Sequence, residues 1–262
     1  MPELPEVETT VRGLRNLVGA RIVAAELRDP RLSLPIDSLP GEHIQAIVRH
    51  GKYIEIRLCR GSLIIHLRMS GRLLRQCTTE ENRYCRFRLR TDRGEIHFVN
   101  PRRLGTITYE KDGFHGRLGP DPLAETFVAG TLGEIASISS APLKTVLLDQ
   151  TRIAGLGNIY ATEALWHAGL DPRRPASSLD DREVAALHAS IRSTLEDAIA
   201  AMGSTLGDGV SDYRDPAGER GRFQPRLEAY RRAGEPCRRC GGTIERIVQA
   251  GRSTYLCTGC QN

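Results

Sequence analysis

A chain of 262 residues with 40% hydrophobic and 26% charged residues has the composition of a water-soluble globular protein, long enough for one large domain or two ordinary ones. No apolar run approaches bilayer-spanning length and the first stretch lacks a signal peptide's apolar core, so a membrane protein is excluded and a cytoplasmic address is expected. The net charge of +5 is concentrated at one end, because residues 217–262 hold nine Arg, no Lys and four Glu. Arginine suits bidentate contact with phosphates, which makes nucleic acid the leading partner, although a solvated basic face has the same composition.

The chain opens Met1-Pro2-Glu3-Leu4-Pro5-Glu6-Val7-Glu8. Residues 5–18 read as a helix. Pro5 suits a first helical position, Glu6 and Glu8 favour the positive helix end, and Val7, Val11, Leu14 and Val18 share a face before Gly19. From about residue 20 to 110 the period changes to two. The stretches 53–58 and 86–98 alternate, the second around a Thr91-Asp92-Arg93-Gly94 hairpin turn, which predicts a sheet structure of the sandwich kind. The rigid, turn-rich stretch 118–123 places a linker near 120–140.

Beyond residue 142 the pattern is helical, with short helices over 143–150 and 157–169. A long helix follows, with Ser178 and Asp181 as its capping box. Val184, Leu187, Ile191, Leu195 and Ile199 form its apolar stripe and Gly203 its stop. Residues 203–224 make a long polar loop, and loops of that length in compact proteins are functional or mobile.

Of the seven cysteines, Cys59, Cys77 and Cys85 have no ligand spacing and read as ordinary buried or half-buried thiols. Cys237 and Cys240 form one Cys-x2-Cys pair, and Cys257 and Cys260 form another. Two such turns complete a tetrahedral Zn2+ site, and the residues between them read as two strands joined by Gln249-Ala250-Gly251-Arg252, a zinc-ribbon hairpin. A pair of disulfides is the alternative, disfavoured in a cytoplasmic chain. The zinc is structural, because four protein ligands leave no position for water, and catalysis must lie elsewhere. Arg252, at the hairpin tip, is either a solvent-exposed arginine or a phosphate clamp.

Gly155 and Gly157 precede a helix, where backbone N–H groups and the helix N-terminus suit an anion, and Asn158 can cap or bind a phosphate. A helix-turn-helix packed for its own sake is the competing reading. Lys144 either reaches the same anion or is a surface lysine. At the other end, removal of Met1 leaves Pro2 as a secondary amine. An α-amino group titrates near ~8, against ~10 for lysine, so far more of it is unprotonated at neutral pH. Such an amine can attack an electrophilic carbon and form an iminium, with Glu3 as candidate acid or base.

The blocks MPELPEVET, HGKY, HLRMSG, NPRRLG, LGPDPL, LKTVLLDQTRIAGLGNIYATEAL and GRSTYLCTGCQ occur in this order over nearly the whole chain. Together they resemble the formamidopyrimidine-DNA glycosylase family. The resemblance implies an α+β protein with an N-terminal β-sandwich and N-terminal helix (1–130), a helix-two-turn-helix module with a lesion-covering loop (131–224) and a zinc finger (225–262). It implies a monomer acting on damaged double-stranded DNA at the nucleoid, with one structural Zn2+. Pro2 would attack C1′ of the damaged nucleotide, base loss would leave a Schiff base, and β,δ-elimination would nick the strand. Glu3 would be the acid/base and Glu6 its support. Lys52 and Arg252 complete the catalytic set, and Asn158 would grip phosphate with Arg252. Lys144 matches another DNA-binding position of the pattern.

Reaching C1′ in a duplex requires flipping the nucleotide, and side chains must fill the gap. Met69 and Arg102 match two of the family's three gap-filling residues, while Leu104 stands where Phe is usual, losing stacking worth ~1–3 kcal/mol per base. Leucine remains a known wedge. Asn100 stands where Asp is common, which removes a charge that would orient nearby arginines. Residues 203–224 match the segment covering the flipped base in enzymes for oxidised purines, 8-oxoguanine and formamidopyrimidine. An oxidised-pyrimidine glycosylase of the endonuclease VIII type and a non-catalytic damage-binding protein are the alternatives.

Overall fold

In the computed structural model, which describes residues 1–207, 209 and 211–262, the chain divides into two units, Met1–Gly116 with Ala198–Gln224 and Arg117–Asp197 with Pro225–Asn262. Asp208 and Val210 of the polar loop lie outside the described residues. Among the described residues no helix is long and apolar enough to cross a membrane.

The first unit begins with helix α1 (Leu4–Leu14). It starts one residue before the predicted position because Glu3 is its N-cap. Glu3 and Glu6 form a reciprocal capping box, in which the Glu3 N–H donates to Glu6 Oε2 at 2.8 Å. Val7, Val11 and Leu14 are buried as predicted, but Val18 is not. The helix tightens into a 3-10 turn over Arg15–Leu17 and the chain then bends at Gly19 with φ of +82°.

Eight antiparallel strands follow: β1 (Ile22–Leu27), β2 (Ala46–His50), β3 (Tyr53–Arg57), β4 (Ser62–His66), β5 (Arg72–Leu74), then, after a one-turn helix α2 (Thr79–Asn82), β6 (Cys85–Thr91), β7 (Gly94–Val99) and β8 (Thr106–Glu110). They form two four-stranded sheets, ordered β1-β6-β7-β5 and β2-β3-β4-β8. The predicted hairpin is present, with Thr91 paired to Gly94. Alternate residues of both sheets, Phe87, Leu89, Ile96 and Phe98 from one and Ile54, Ile56, Leu63 and Ile65 from the other, share one buried core with Val7, Val11 and Leu14. The period of two is therefore that of a sandwich with a helix packed on it.

The second unit contains α3 (Ala129–Ser137), α4 (Leu143–Leu148), α5 (Asn158–Ala168), most of α6 (Asp181–Ala200), and the hairpin β9 (Glu245–Gln249) and β10 (Arg252–Leu256). Helix α3 occupies the stretch read as linker. It buries Leu132 and Ala136, while two glycines in nine residues hide its pattern. Helix α5 ends at Gly169 in the left-handed region, as predicted. The stripe on α6 is buried throughout.

The cap of α6 differs from the predicted Ser178/Asp181 pair. Asp180 Oδ1 accepts the Glu183 N–H at 2.8 Å and the Asp180 N–H donates to Glu183 Oε2 at 3.0 Å, while Arg174 grips both oxygens of Glu183. Ser178 instead ends a short 3-10 turn and donates to Pro175 O. A capping box needs an acceptor three residues on that can reach back, and Glu183 does this where Asp181, as the first helical residue, does not. Replacing Asp180 with Ala is expected to cost about 1 kcal/mol in urea unfolding, and replacing Ser178 with Ala less than half of that.

Candidate active site

The N-terminal segment is held by one buried carboxylate. Glu6 is 1% exposed; its Oε2 accepts the Glu3 N–H and its Oε1 accepts the N–H of Ser204 at 2.7 Å. Pro2 and Glu3 are buried beside it, and Met1 is 43% exposed. Two N–H donors on one carboxylate fix its position. A Cβ on Gly203 would lie 2.7 Å from Glu6 Oε1, so the start of the polar loop has to be glycine for this contact to close.

That loop packs on α1 and bonds to itself and to the residue after β5, contacts that sequence reasoning missed. Tyr213 is 7% exposed and burial pushes its hydroxyl pKa up. Thr9 and Thr10 lie beside it, although no hydrogen bond of good geometry reaches its Oη among the described residues. Thr205 Oγ1 donates to Tyr213 O and accepts from the Gly221 N–H, and Pro216 O accepts from the Arg75 N–H. The described part of the loop is thus a packed structure and not a free strap.

Lys52 sits in the two-residue turn between β2 and β3, after Gly51 at φ +56°, and is 7% exposed. His66, at the end of β4, was not singled out in the sequence beyond its place in HLRMSG. It is 7% exposed, packs edge-on against Tyr53, and accepts the Arg68 N–H on Nδ1 at 2.9 Å, so its ring is neutral with the proton on Nε2. Burial first, then the charges of Arg68 and Lys52, push its pKa down to about 4.

The three proposed gap-fillers lie in the same unit on two turns. Met69 and Leu104 are 49% and 45% exposed, and Arg102 Nη1 lies 3.9 Å from Met69 Sδ. With asparagine in place of a carboxylate at position 100, two nearby arginines have other partners. Arg103 reaches Asp29 at 3.6 Å, and the Arg86 Nε–H donates to Asn100 O. Burial pushes the thiol pKa of Cys77 up to about 12 and that of Cys85 upward, away from the thiolate form, while Cys59 is exposed and not half-buried as expected.

In the second unit Lys144 is 1% exposed and so is not a surface lysine. Its Nζ donates to Ser253 O and to Thr254 Oγ1, both at 3.0 Å. Asn158, first residue of α5, donates from Nδ2 to the same Ser253 O at 2.9 Å. Lys144, Asn158 and the residue next to Arg252 are therefore brought together. The Gly155 N–H, offered by the sequence as an anion donor, is taken by Gln150 Oε1. Arg252 is exposed at the start of β10, after a turn in which Ala250 and Gly251 both have positive φ, as a tight hairpin turn requires.

The four cysteine sulfurs lie within 4.8 Å of one another, with Cys237–Cys260 at 3.7 Å and Cys240–Cys257 at 3.4 Å. Zn–S bonds of ~2.3 Å in a tetrahedron put sulfurs about 3.8 Å apart, so the set fits one structural zinc and not two disulfides. The segment leading into the finger is fastened by Glu163, which is fully buried and accepts the N–H groups of Glu228, Ala229 and Tyr230 at 2.6, 3.1 and 2.7 Å. Trp166 packs against Cys237 and Cys257.

Two outcomes are expected. Stripping zinc with a chelator should shift the emission of Trp166, the single tryptophan, to the red as the finger melts. For His66, the unfolded chain binds the proton near pH ~6.5 and the folded protein only near 4, so its contribution is full above about 6.5 and is lost as pH falls toward 4. The thermal midpoint should therefore fall between about pH 6.5 and 4.5, and less steeply in His66→Gln. Burial also depresses His97 and His167, which supply the remaining slope.

Residues 1–107 match the formamidopyrimidine-DNA glycosylase N-terminal domain, 118–209 its H2TH domain, and 234–262 the zinc finger found in FPG and IleRS. The chain is 41% identical over 276 residues to the formamidopyrimidine-DNA glycosylase of Desulfitobacterium hafniense and 42% identical over 284 residues to that of Paracoccus denitrificans, each alignment covering 100% of both chains. It superposes on the MutM (Fpg) protein of Thermus thermophilus with a TM-score of 0.88 and 40% identity, covering 99% of this chain and 98% of that one. Lactococcus lactis Fpg in complex with a Fapy-dG containing DNA gives a TM-score of 0.86 at 34% identity, covering 99% and 100%. The full-length identity, the three domain matches and the four-cysteine cluster agree, and the chain belongs to the formamidopyrimidine-DNA glycosylase family.

Proposed function

We propose that the protein is a bifunctional DNA glycosylase and abasic-site lyase of base-excision repair, which removes the oxidised purines 8-oxoguanine and formamidopyrimidine from duplex DNA and acts as a monomer in the cytoplasm, at the nucleoid. The observation that carries the reading is the placement of Pro2 and Glu3 on the capped end of α1, held by Glu6 and, through Glu6, by the base of the long loop.

With Met1 removed, the Pro2 nitrogen is an unprotonated secondary amine in a useful fraction of molecules. Its lone pair attacks C1′ of the flipped nucleotide and the base departs as the C1′–N bond breaks. Glu3 handles protons at the sugar and the leaving base. The amine loses its proton, the C1′–O4′ bond of the sugar breaks as O4′ takes a proton, and the opened sugar is left as an iminium on Pro2. The iminium acidifies the C2′ hydrogen, whose loss expels the 3′ phosphate, and a second elimination expels the 5′ phosphate. Lys52 contacts phosphate from the β2–β3 turn, and Asn158 and Arg252 contact the phosphates flanking the damaged nucleotide. Lys144 serves DNA binding indirectly, by holding the Ser253 carbonyl and thereby the strand that carries Arg252. The finger's zinc takes no part in bond making.

Borohydride trapping tests this. Protein whose mass confirms loss of Met1 is expected to form a covalent adduct with a duplex containing 8-oxoguanine, and Pro2→Gly to lose it. Glu3→Gln is expected to slow base release by about 10²–10⁴-fold. An adduct formed with oxidised pyrimidines and not with 8-oxoguanine would reassign the substrate, and equal trapping by Pro2→Gly would remove the nucleophile.

A further inference from the structure

The exposed apolar side chains of Met69 and Leu104 are mounted in the same way. Met69 follows Arg68 at φ +52° and Leu104 follows Arg103 at φ +53°. Left-handed backbone costs a non-glycine residue on the order of 1 kcal/mol, so each turn needs groups that over-determine it. At Met69 these are His66 Nδ1, which accepts the Arg68 N–H, and Leu67 O, which accepts the N–H of Gly71 at 2.9 Å.

At Leu104 the clamp is Asn100. Its side chain is 2% exposed, its Nδ2 donates to Gly105 O at 3.0 Å, and its Oδ1 accepts the Gly105 N–H at 3.4 Å. The side-chain amide thus pairs with both polar groups of one residue, closing the turn Pro101-Arg102-Arg103-Leu104 from beneath. Its backbone O accepts the N–H of Arg103, the left-handed residue. Only an amide offers a donor and an acceptor side by side; a carboxylate offers two acceptors and leaves the Gly105 carbonyl unmatched. The pairing also requires glycine at 105, where a Cβ would lie 2.8 Å from the Phe98 ring.

We infer that Asn100 is a positioning residue for DNA interrogation, holding Arg102 and Leu104 proud in the conformation that enters the base stack before DNA arrives. A turn already closed loses less conformational entropy when it wedges between bases than one ordered on contact. The inference rests on the assignment of Leu104 and Arg102 as gap-fillers.

The test compares single-turnover excision of 8-oxoguanine from a duplex with cleavage of a preformed abasic site in a single strand, which has no stack to open. The ratio of the two rates isolates the wedging step, and 2-aminopurine fluorescence beside the lesion reports base opening. Asn100→Ala is expected to lower the ratio about tenfold, as the loss of one buried pairing implies. Asn100→Asp keeps the acceptor for the Gly105 N–H and should recover part of it, with faster base opening than the alanine variant. An Asn100→Ala protein with a lower thermal midpoint and the wild-type ratio would overturn the inference, as would an aspartate variant no better than alanine. Leu104→Ala separates the two levels. If its ratio equals that of the wild type, the gap-filler assignment fails; if it is lowered while both Asn100 variants match the wild type, the clamp alone fails.

Discussion

Glu6 meets the backbone N–H of Glu3 on one side and that of Ser204, nearly two hundred residues away, on the other. This shared carboxylate is the constraint on which the rest of the first unit depends. A chain end is ordinarily the least ordered part of a protein, because nothing precedes it to hold it. Here the first helical turn supplies donors that need a partner, Glu6 supplies acceptors, and the loop brings one more donor. Removing water from this group costs free energy that only complete hydrogen bonding offsets, so the contact has two states, made or broken, with little between. Where it is made, Pro2 and Glu3 have fixed positions relative to the polar loop.

The second unit uses the same physics for a different end. Lys144 and Glu163 are ionisable side chains, almost fully buried, that reach backbone groups of the finger region. A zinc ribbon is too small to bury a core of its own. Its metal holds the fold of the finger, but orientation on the helices has to come from elsewhere. The Ser253 carbonyl, which accepts from both Lys144 and Asn158, and the three N–H groups on Glu163 supply it. The exposed Arg252 then projects from a mount anchored one residue away.

Much of this was legible in the sequence, for identifiable reasons. Strand period, hairpin glycines and the paired Cys-x2-Cys spacing are local signals, and the sandwich, the finger and the α6 stripe followed from them. The misses share a cause as well. Ser178 and Asp180 are chemically equivalent caps, and the choice between them depends on Glu183 and Arg174, which meet only in the folded chain. Lys144 reads as a surface or phosphate lysine until Thr254, over a hundred residues on, closes over it. Helix α3 was hidden because Gly130 and Gly133 lower helix propensity in a segment whose burial, not its propensity, decides its state. The neutral, low-pKa state of His66 comes from burial near Lys52 and Arg68, which no sequence window contains. The family resemblance pointed to Glu6 and Asn158 as candidate site residues, but their partners, Ser204 and Ser253, emerged only from the three-dimensional contacts.

A terminal secondary amine and a lysine can do the same covalent chemistry, and the proposed use of Pro2 has physical advantages over a lysine. A lysine nucleophile must lose its charge, usually through desolvation, and must freeze four rotatable bonds; burying it enough to do the former tends to restrict access to the sugar. Proline starts with a lower pKa and a ring that fixes its own φ, so neither cost arises. What it lacks is an anchor on its N-terminal side. The capping box, whose ordinary role is to satisfy helix-end N–H groups, supplies that anchor one residue away. A helix N-terminus also carries partial positive charge, which suits the buried carboxylate of Glu6. In the proposed reaction the same short segment that caps the helix sets the position of the nucleophile.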